Sequence, residues 1–380
     1  QQQKLAMWVG TQDLFYQRDV LSRRLGLDVD QITVQAMRVG GAFGGKTIST
    51  VELEAAVLSR SVSAPVQVQW TREQEFGFAF HRPASSHRVR VRLKDGRLQD
   101  WWHAFVSSHI LFTAAALPSW LQALTNFVGD DGVARGAQQP YAITNQRIEF
   151  DLERTPIHTG PWRGLGAGPN NWVVESVMDE CAVQLKVDPL LLRQQHLAPL
   201  KTPQSERLLG VLQAVSNIVK SVPTPTSDNE FMRGRGLASG SYKGMSYSAT
   251  IADVAVNRAT GAVQVLQMWC SHDCGTVINP DGVRAQTEGN LVWCIGMALI
   301  EKLTAEKSQI GQTNFDASPL PRMTDVPTLN VHLIDNNLPS TGAGETAIAS
   351  GTAAITNAIR AATGKRITQL PVQSKLLIKN

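Results

Sequence analysis

Apolar residues recur at helical spacing in several stretches of the chain. Leu14, Val20, Leu21 and Leu25 predict an amphipathic helix from Asp13 to Leu25, ended by Gly26. A second helix is predicted over Thr47 to Val62, with Val51, Ala55 and Leu58 on one face. A third covers Asn170 to Lys186, burying Val173, Val174, Val177, Met178 and Cys181. Asn279-Pro280 opens a helix running to about Glu301, with Asn as the cap and Pro at the first helical position. A small-residue helix from about Glu345 to Thr363 stops at Gly364.

Period-two patterning marks the strands. Ile32 to Val39, Pro65 to Trp70 and Thr328 to Ile334 read as single strands. Val89 to Leu93 and Leu98 to Phe105 form a hairpin around Asp95-Gly96, and Thr250 to Val256 pairs with Ala262 to Trp269 around Thr260-Gly261. Residues 107–170 are loop-rich. Strands and helices mix without a strict βα repeat, so the fold class is α+β rather than doubly wound. The stretch from Pro223 to Asn229 is the best linker, which divides the chain into 1–222 and 230–380.

The chain has 380 residues, 43% of them hydrophobic, and a formal net charge of +4. That is an ordinary globular composition with room for a real core. Arg88, Arg90, Arg92 and Lys94 alternate, as on the solvent face of a strand, which argues against a nucleic-acid site. The longest apolar run, Leu291 to Ile300, is too short to span a membrane. The four cysteines (Cys181, Cys270, Cys274, Cys294) lack cluster spacing and read as small buried hydrophobes, so an iron–sulfur cluster would need another polypeptide.

Glycine-rich loops carry the candidate chemistry. Gly40 to Thr47, GGAFGGKT, satisfies the phosphate-loop pattern, with Lys46 for phosphates and Thr47 for magnesium. No hydrophobic strand ending in a convincing magnesium-binding Asp accompanies it. Three more glycine loops each precede a predicted helix: Pro161 to Pro169, Asp273 to Pro280 and Thr341 to Thr346. For any one junction the plainer account is that glycines end a loop. Four such junctions together suggest one large cofactor held from several sides.

Five ordered blocks carry a resemblance: MRVGGAFGGK (37–46), WRGLGAGPNNWVVESVMDECA (162–182), DCGTVINPDGVRAQTEGNLVW (273–293), TNFDASPLPRM (313–323) and STGAGETAIASGTAAITNAIRAATGKRI (340–367). They resemble the molybdenum-binding large subunit of the xanthine dehydrogenase/aldehyde oxidase family, in particular the isoquinoline oxidoreductase type. The resemblance implies two mixed α/β domains with molybdopterin between them. It implies an oxidoreductase that hydroxylates a carbon next to nitrogen or oxygen, with water as the oxygen source and an N-heterocycle or aldehyde as substrate. Electrons would leave through two-iron two-sulfur clusters on a small partner subunit. A cytosine-dinucleotide form of the cofactor and an electron-accepting cytochrome also belong to what the resemblance admits. Relatives of this type are often exported folded, which leaves cytoplasm and periplasm both open.

Residue by residue, Glu345 of GAGET matches the family's catalytic base. Gly41, Ala42, Phe43, Gly44 and Gly45 match the loop on the metal's apical side. Arg163 and Gly164 match the segment beside the cofactor, Gln286 a glutamine contacting pterin, and Gly344 the turn before the base. The resemblance implies that no side chain ligates molybdenum, which the pterin dithiolene holds. Each has a plainer role: a first-turn helix carboxylate for Glu345, a clamp on loop carbonyls for Arg163, a helix-face amide for Gln286. Departures also exist. Thr47 stands where xanthine-oxidising members are acidic, Leu165 replaces an aromatic that sandwiches substrate, and GAGET lacks the following proline. The family's large subunit extends upstream of Gln1, so the pocket is expected to be N-terminally incomplete. The remaining alternatives are a phosphate-loop nucleotide hydrolase using Lys46 and Thr47, and a cofactor-free domain without catalysis.

Overall fold

The computed structural model describes residues 4–47, 51–111, 129–155, 157–307 and 309–378. Strand β1 (Leu5–Val9) pairs in parallel with β2 (Ile32–Ala36) across helix α1 (Leu14–Leu25). The local chemistry sets α1: the Asp13 side chain accepts from the Tyr16 N–H, and Gly26 ends the helix in the left-handed region. β2 stops at Ala36 rather than Val39 because β1 ends at Val9, whose carbonyl takes the Met37 N–H at 2.8 Å. Helix α2 (Val51–Val62) buries Glu52 and Ala56, and Leu58 is exposed, so its inward face lies one position away from the expected one. The expected start at Thr47 falls partly on residues 48–50, outside the described residues.

Pro65 to Trp70 alternates in burial as predicted, but no described strand pairs with it. Alternation without a neighbouring ladder leaves extended chain, not a sheet. It leads into α3 (Arg72–Phe78), capped by Thr71. The hairpin of β3 (Ser85–Lys94) and β4 (Arg97–Ser107) turns at Asp95 and Gly96, both at positive φ, and the Arg88, Arg90, Arg92 and Lys94 side chains are exposed. A third strand, β5 (Asn145–Leu152), runs parallel to β4 inside the region read as loop. A single turn, α4 (Asp131–Ala134), precedes it.

Helices α5 (Ala167–Leu185), α6 (Pro189–Leu197) and α7 (Pro203–Val219) follow. Then come β6 (Phe231–Tyr242), β7 (Ser246–Asn257), β8 (Val263–Asp273), α8 (Pro280–Ile295), the two-residue strands β9 (Ala305–Glu306) and β10 (Gln309–Ile310), β11 (Thr328–Ile334) and α9 (Ile348–Thr363). The main sheet has the order β11-β8-β7-β6. α8 is the crossover between the parallel strands β8 and β11.

Both faces of this sheet are covered, which is why β7 is buried at nearly every position. One face packs Leu237, Ile251 and Trp269 against Val211, Leu212 and Val215 of α7 and Met178 of α5. The other packs Ala252, Val254 and Met268 against Ala354, Ile355 and Ala358 of α9 and Leu291 of α8. α9 lies close on β6 because Gly236 has no side chain; a Cβ there would strike Ala358 N. The four cysteines are buried and unpaired, and Leu291 to Ile300 forms the end of α8 and a π-helical turn, Gly296–Ile300. No described helix is long and apolar enough to cross a membrane.

Candidate functional site

The loop at Gly40 to Thr47 is closed by its own chain. Gln12 Oε1 accepts from Gly44 N–H (3.0 Å), Lys46 N–H (3.3 Å) and the Thr47 hydroxyl (3.3 Å). Gly45 N–H donates to Ala42 O and Thr47 N–H to Gly44 O. A phosphate loop needs those N–H groups free to cradle an anion. Here they are satisfied, which removes the physical basis for the nucleotide-hydrolase alternative. Gly44, at φ 105°, lies flat on the next loop: a Cβ would sit 2.5 Å from Pro161 O. Phe43, itself at φ 49°, turns its ring outward to meet Trp293 of α8 at 5.1 Å between centroids.

The second loop, Pro161 to Pro169, leads into α5. Arg163 is buried and reaches two other elements. Its Nε donates to Gly344 O at 2.7 Å; Nη2 donates to Gln286 O at 3.0 Å and to Gln286 Oε1 at 2.6 Å. Its guanidinium carbon lies 5.1 Å from the Phe43 ring centre and 5.7 Å from that of Trp293. The clamp on loop carbonyls foreseen as the plainer role of Arg163 is therefore real. Gly164, at φ 88°, donates its N–H to Glu345 Oε1 at 2.8 Å, and a Cβ on it would meet Ile348 Cγ2 at 2.7 Å. Leu165 is buried with Phe105, Ile110, Val133 and Ala137 in a separate core, where it offers no face to a substrate.

Arg82 holds this loop from beneath, donating to Arg163 O at 2.6 Å and Leu165 O at 2.9 Å. Burial lowers its pKa to about 10, against the opposing charge of Glu301. Burial likewise pushes Glu301 up to about 7, only partly offset by Arg82.

The third component is α8 and the Thr341 to Thr346 turn. Asn279 caps α8, which places Gln286 and Asn290 one turn apart. Asn290 Nδ2 donates to Gln286 O at 2.8 Å and Gly344 O at 3.2 Å, so its Oδ1 faces away from both and, although buried, has no partner among the described residues. Glu345 is half-buried in the turn before α9, which starts at Ile348 rather than at Glu345. Burial and the charge of Glu345 raise the pKa of the Tyr242 phenol, whose oxygen accepts from Arg135 Nη1 at 3.0 Å. The Asp273 to Pro280 loop stands behind this turn: Cys274 O accepts Thr341 N–H at 2.8 Å, while Asp273 is paired with Arg207.

The structure thus brings Phe43, Arg163, Gly164, Gln286, Gly344 and Glu345 into one connected group. Gly41, Ala42, Gly44 and Gly45 form the loop on its rim. Residues not anticipated are Gln12, Arg82, Arg135, Tyr242, Asn290, Trp293 and Trp162, whose ring centre lies 5.6 Å from that of Trp293. The residues fit a bulky polar cofactor on two observations. Gly40, Gly342 and Gly344 have no atom within 4 Å of an added Cβ and no left-handed φ, so neither packing within the chain nor backbone strain calls for glycine there. The buried Asn290 Oδ1 needs a donor that the described residues do not supply. Within the stretch read as loop-rich, 107–170, residues 112–128 and 156 lie outside the described residues.

Residues 1–197 match one family model described as a molybdopterin cofactor-binding domain, and residues 213–327 match a second with the same description. The chain is 30% identical to a nicotinate dehydrogenase polypeptide of Pseudomonas putida over 98% of its own length and 32% of that protein's. It is 28% identical to the beta chain of the isoquinoline 1-oxidoreductase of Brevundimonas diminuta, over 97% of this chain and 46% of the relative. It therefore spans about a third to a half of these curated relatives. Quinoline 2-oxidoreductase from Pseudomonas putida 86 shares the fold, with a TM-score of 0.86 at 16% identity over 98% of this chain and 72% of that one. On these matches the chain belongs to the molybdopterin cofactor-binding domains of the xanthine dehydrogenase/aldehyde oxidase family.

Proposed function

We propose that this chain is the cofactor-holding region of a molybdenum hydroxylase that adds water-derived oxygen to an N-heterocycle or oxidises an aldehyde, with Glu345 as the general base. When bound, the cofactor supplies two-electron oxidation and Lewis acidity. Gly40, Gly342 and Gly344 let main chain approach it closely. Arg163, Gln286 and Asn290 hold its polar edge, Gln286 with the amide hydrogens that its bond to Arg163 leaves free. Phe43, Trp162 and Trp293 wall the group with rings and limit water. Glu345 takes up the proton at its carboxylate, oriented by the Gly164 N–H.

The observation that carries this reading is the double link between the two stretches of chain. Arg163 and Gly164, from within 1–222, grip Gly344, Gln286 and Glu345, from within 230–380. That supports a cofactor lying between two such domains, joined by 223–229. The cofactor is molybdopterin with molybdenum, in its plain or cytosine-dinucleotide form. Partners are a small two-iron two-sulfur subunit, an electron-accepting cytochrome downstream, and a small heterocycle or aldehyde as substrate. The names nicotinate dehydrogenase and isoquinoline 1-oxidoreductase borne by relatives support the heterocycle. The membrane-bound aldehyde dehydrogenase of Gluconacetobacter polyoxogenes, 26% identical over 93% of this chain, supports the aldehyde.

The test is Glu345→Gln in the intact complex. Turnover should fall roughly 10²–10⁴-fold, the usual worth of a general base, while molybdenum per chain stays at the wild-type level. Near-normal turnover with full molybdenum would remove Glu345 as the base. Wild-type complex with no molybdenum would favour the cofactor-free alternative.

A further inference from the structure

We propose that Arg82 is a positioning residue: its guanidinium holds the carbonyls on either side of Gly164 and so aims the Gly164 N–H at the Glu345 carboxylate. The proposal rests on the reading of Glu345 as the base and adds Arg82 to it.

The main-chain groups of the loop leave Arg82 a defined part. Leu165 N–H donates to Trp162 O at 2.7 Å, Gly166 N–H to Gly132 O at 2.9 Å and Ala167 N–H to Gly164 O at 2.9 Å. The Gly164 N–H leaves the loop for Glu345 Oε1 at 2.8 Å. Arg163 O and Leu165 O remain. Arg82 Nη2 donates to the first at 2.6 Å, and Arg82 Nη1 donates to the second at 2.9 Å.

The Arg163 carbonyl and the Gly164 N–H are opposite ends of one planar peptide unit. A cation fixed on the oxygen therefore sets the direction of the N–H, and it polarises that N–H toward a stronger bond. The loop would not keep this geometry unaided. Gly164, at φ 88°, has no side chain to restrain it, and Leu165, at φ 48°, occupies the left-handed region at a cost.

Arg82 is itself held in place. The preceding residue, His81, donates its N–H to His158 O at 3.0 Å and accepts from Gly160 N–H at 3.2 Å, just ahead of the loop. Gly168, in the first turn of α5, leaves room for the guanidinium: a Cβ there would lie 3.5 Å from Arg82 Nη1. A lysine at position 82 presents one compact ammonium and loses the planar fork that serves two carbonyls at once. The peptide unit would then rotate and the Glu345 carboxylate would lose its donor. A base acts only from the geometry in which it meets its proton.

Two measurements in the intact holoenzyme test this. In the first, turnover is expressed per molybdenum atom. Arg82→Lys should lower kcat about tenfold, the worth of one bond to a charged group, with KM within about twofold. In a Glu345→Gln background the same substitution should add nothing, because its effect passes through the carboxylate. In the second, peptide-resolved hydrogen exchange follows residues 162–168. Arg82→Lys should exchange faster there, while α7 keeps its wild-type rate.

Wild-type exchange at 162–168 overturns the proposal whatever the turnover. Faster exchange with wild-type kcat overturns it too, as does an equal loss of kcat in both backgrounds, the mark of a merely structural role. Normal turnover in Glu345→Gln removes the base and the positioning role together, and the exchange result still tells whether Arg82 holds the loop. Should Arg82→Lys assemble without molybdenum, Arg82→Gln is measured in the same way. Loss of molybdenum in both overturns the proposal, because Arg82 then serves assembly rather than the base.

Discussion

Two glycine-rich loops, Gly40 to Thr47 and Thr341 to Thr346, contrast in what they do with their backbone. The first matches a known phosphate motif letter for letter, yet it spends its N–H groups on Gln12 and on itself. The second matches no phosphate pattern. Its glycines nevertheless face open space, and its Gly344 carbonyl and Glu345 side chain are gripped by Arg163 and Gly164. A spacing of glycines tells where main chain can approach something. What it approaches depends on where the hydrogen-bonding groups already go.

Substituting the glycines sharpens the contrast most. Gly44→Ala combines a φ of 105° with a Cβ 2.5 Å from Pro161 O. Strain and overpacking together should cost roughly 2–4 kcal/mol of stability. Gly164→Ala, where the colliding atom is a side chain, should cost somewhat less. Gly344→Ala meets nothing. Its unfolding midpoint in urea should match wild type while molybdenum per chain falls. Equal stability losses in Gly44→Ala and Gly344→Ala would erase the distinction between a packed loop and a reserved one.

Acid should act next, and on the support of the second loop. His272 is buried against α8, with Nδ1 2.7 Å from the Thr287 hydroxyl, beside Gln286. Burial lowers its pKa to about 4 from 6.5, and burial does the same to His87, helped by His103. The unfolded chain thus takes up protons before the folded one as pH falls. The stability these two provide is complete above about 6.5 and is lost as pH drops toward about 4. Glu301, raised to about 7 from 4.5, works in the opposite sense between those values. Urea midpoints measured in a Glu301→Gln background should therefore decline from pH 6.5 to 4. A flat or rising series would contradict the buried neutral state of these histidines.

The smallest effect should come from Lys46→Ala. Lys46 is exposed, and its bonds to Gln12 use only the main chain. Turnover and molybdenum content should stay within about twofold of wild type, in line with exposed substitutions away from packed features. Abolished binding of a magnesium nucleotide would instead revive the motif.

What the sequence disclosed was local. Asp13 and Gly26 bound α1, Asn279-Pro280 opens α8, and Asp95-Gly96 turns the first hairpin, because each depends on groups a few residues apart. β6 was hidden because Gly234, Gly236 and Gly240, which weaken a strand signal, are there for the close approach of α9 and its neighbours. Pro65 to Trp70 had the pattern of a strand without a partner. Glu345, Arg163 and Gln286 were legible through block resemblance. Arg82 and Arg135 were not, since Arg82 acts across 81 residues of sequence and Arg135 across 107. No period or spacing encodes such contacts.

The most direct test is an anomalous diffraction map of the crystallised holoenzyme at the molybdenum edge. One strong peak is expected beside Phe43, Arg163, Gly344 and Glu345, on the side faced by the Glu345 carboxylate. A peak elsewhere, or a Glu345 carboxylate turned away from it, would contradict the claim that these separated loops converge on one molybdenum cofactor.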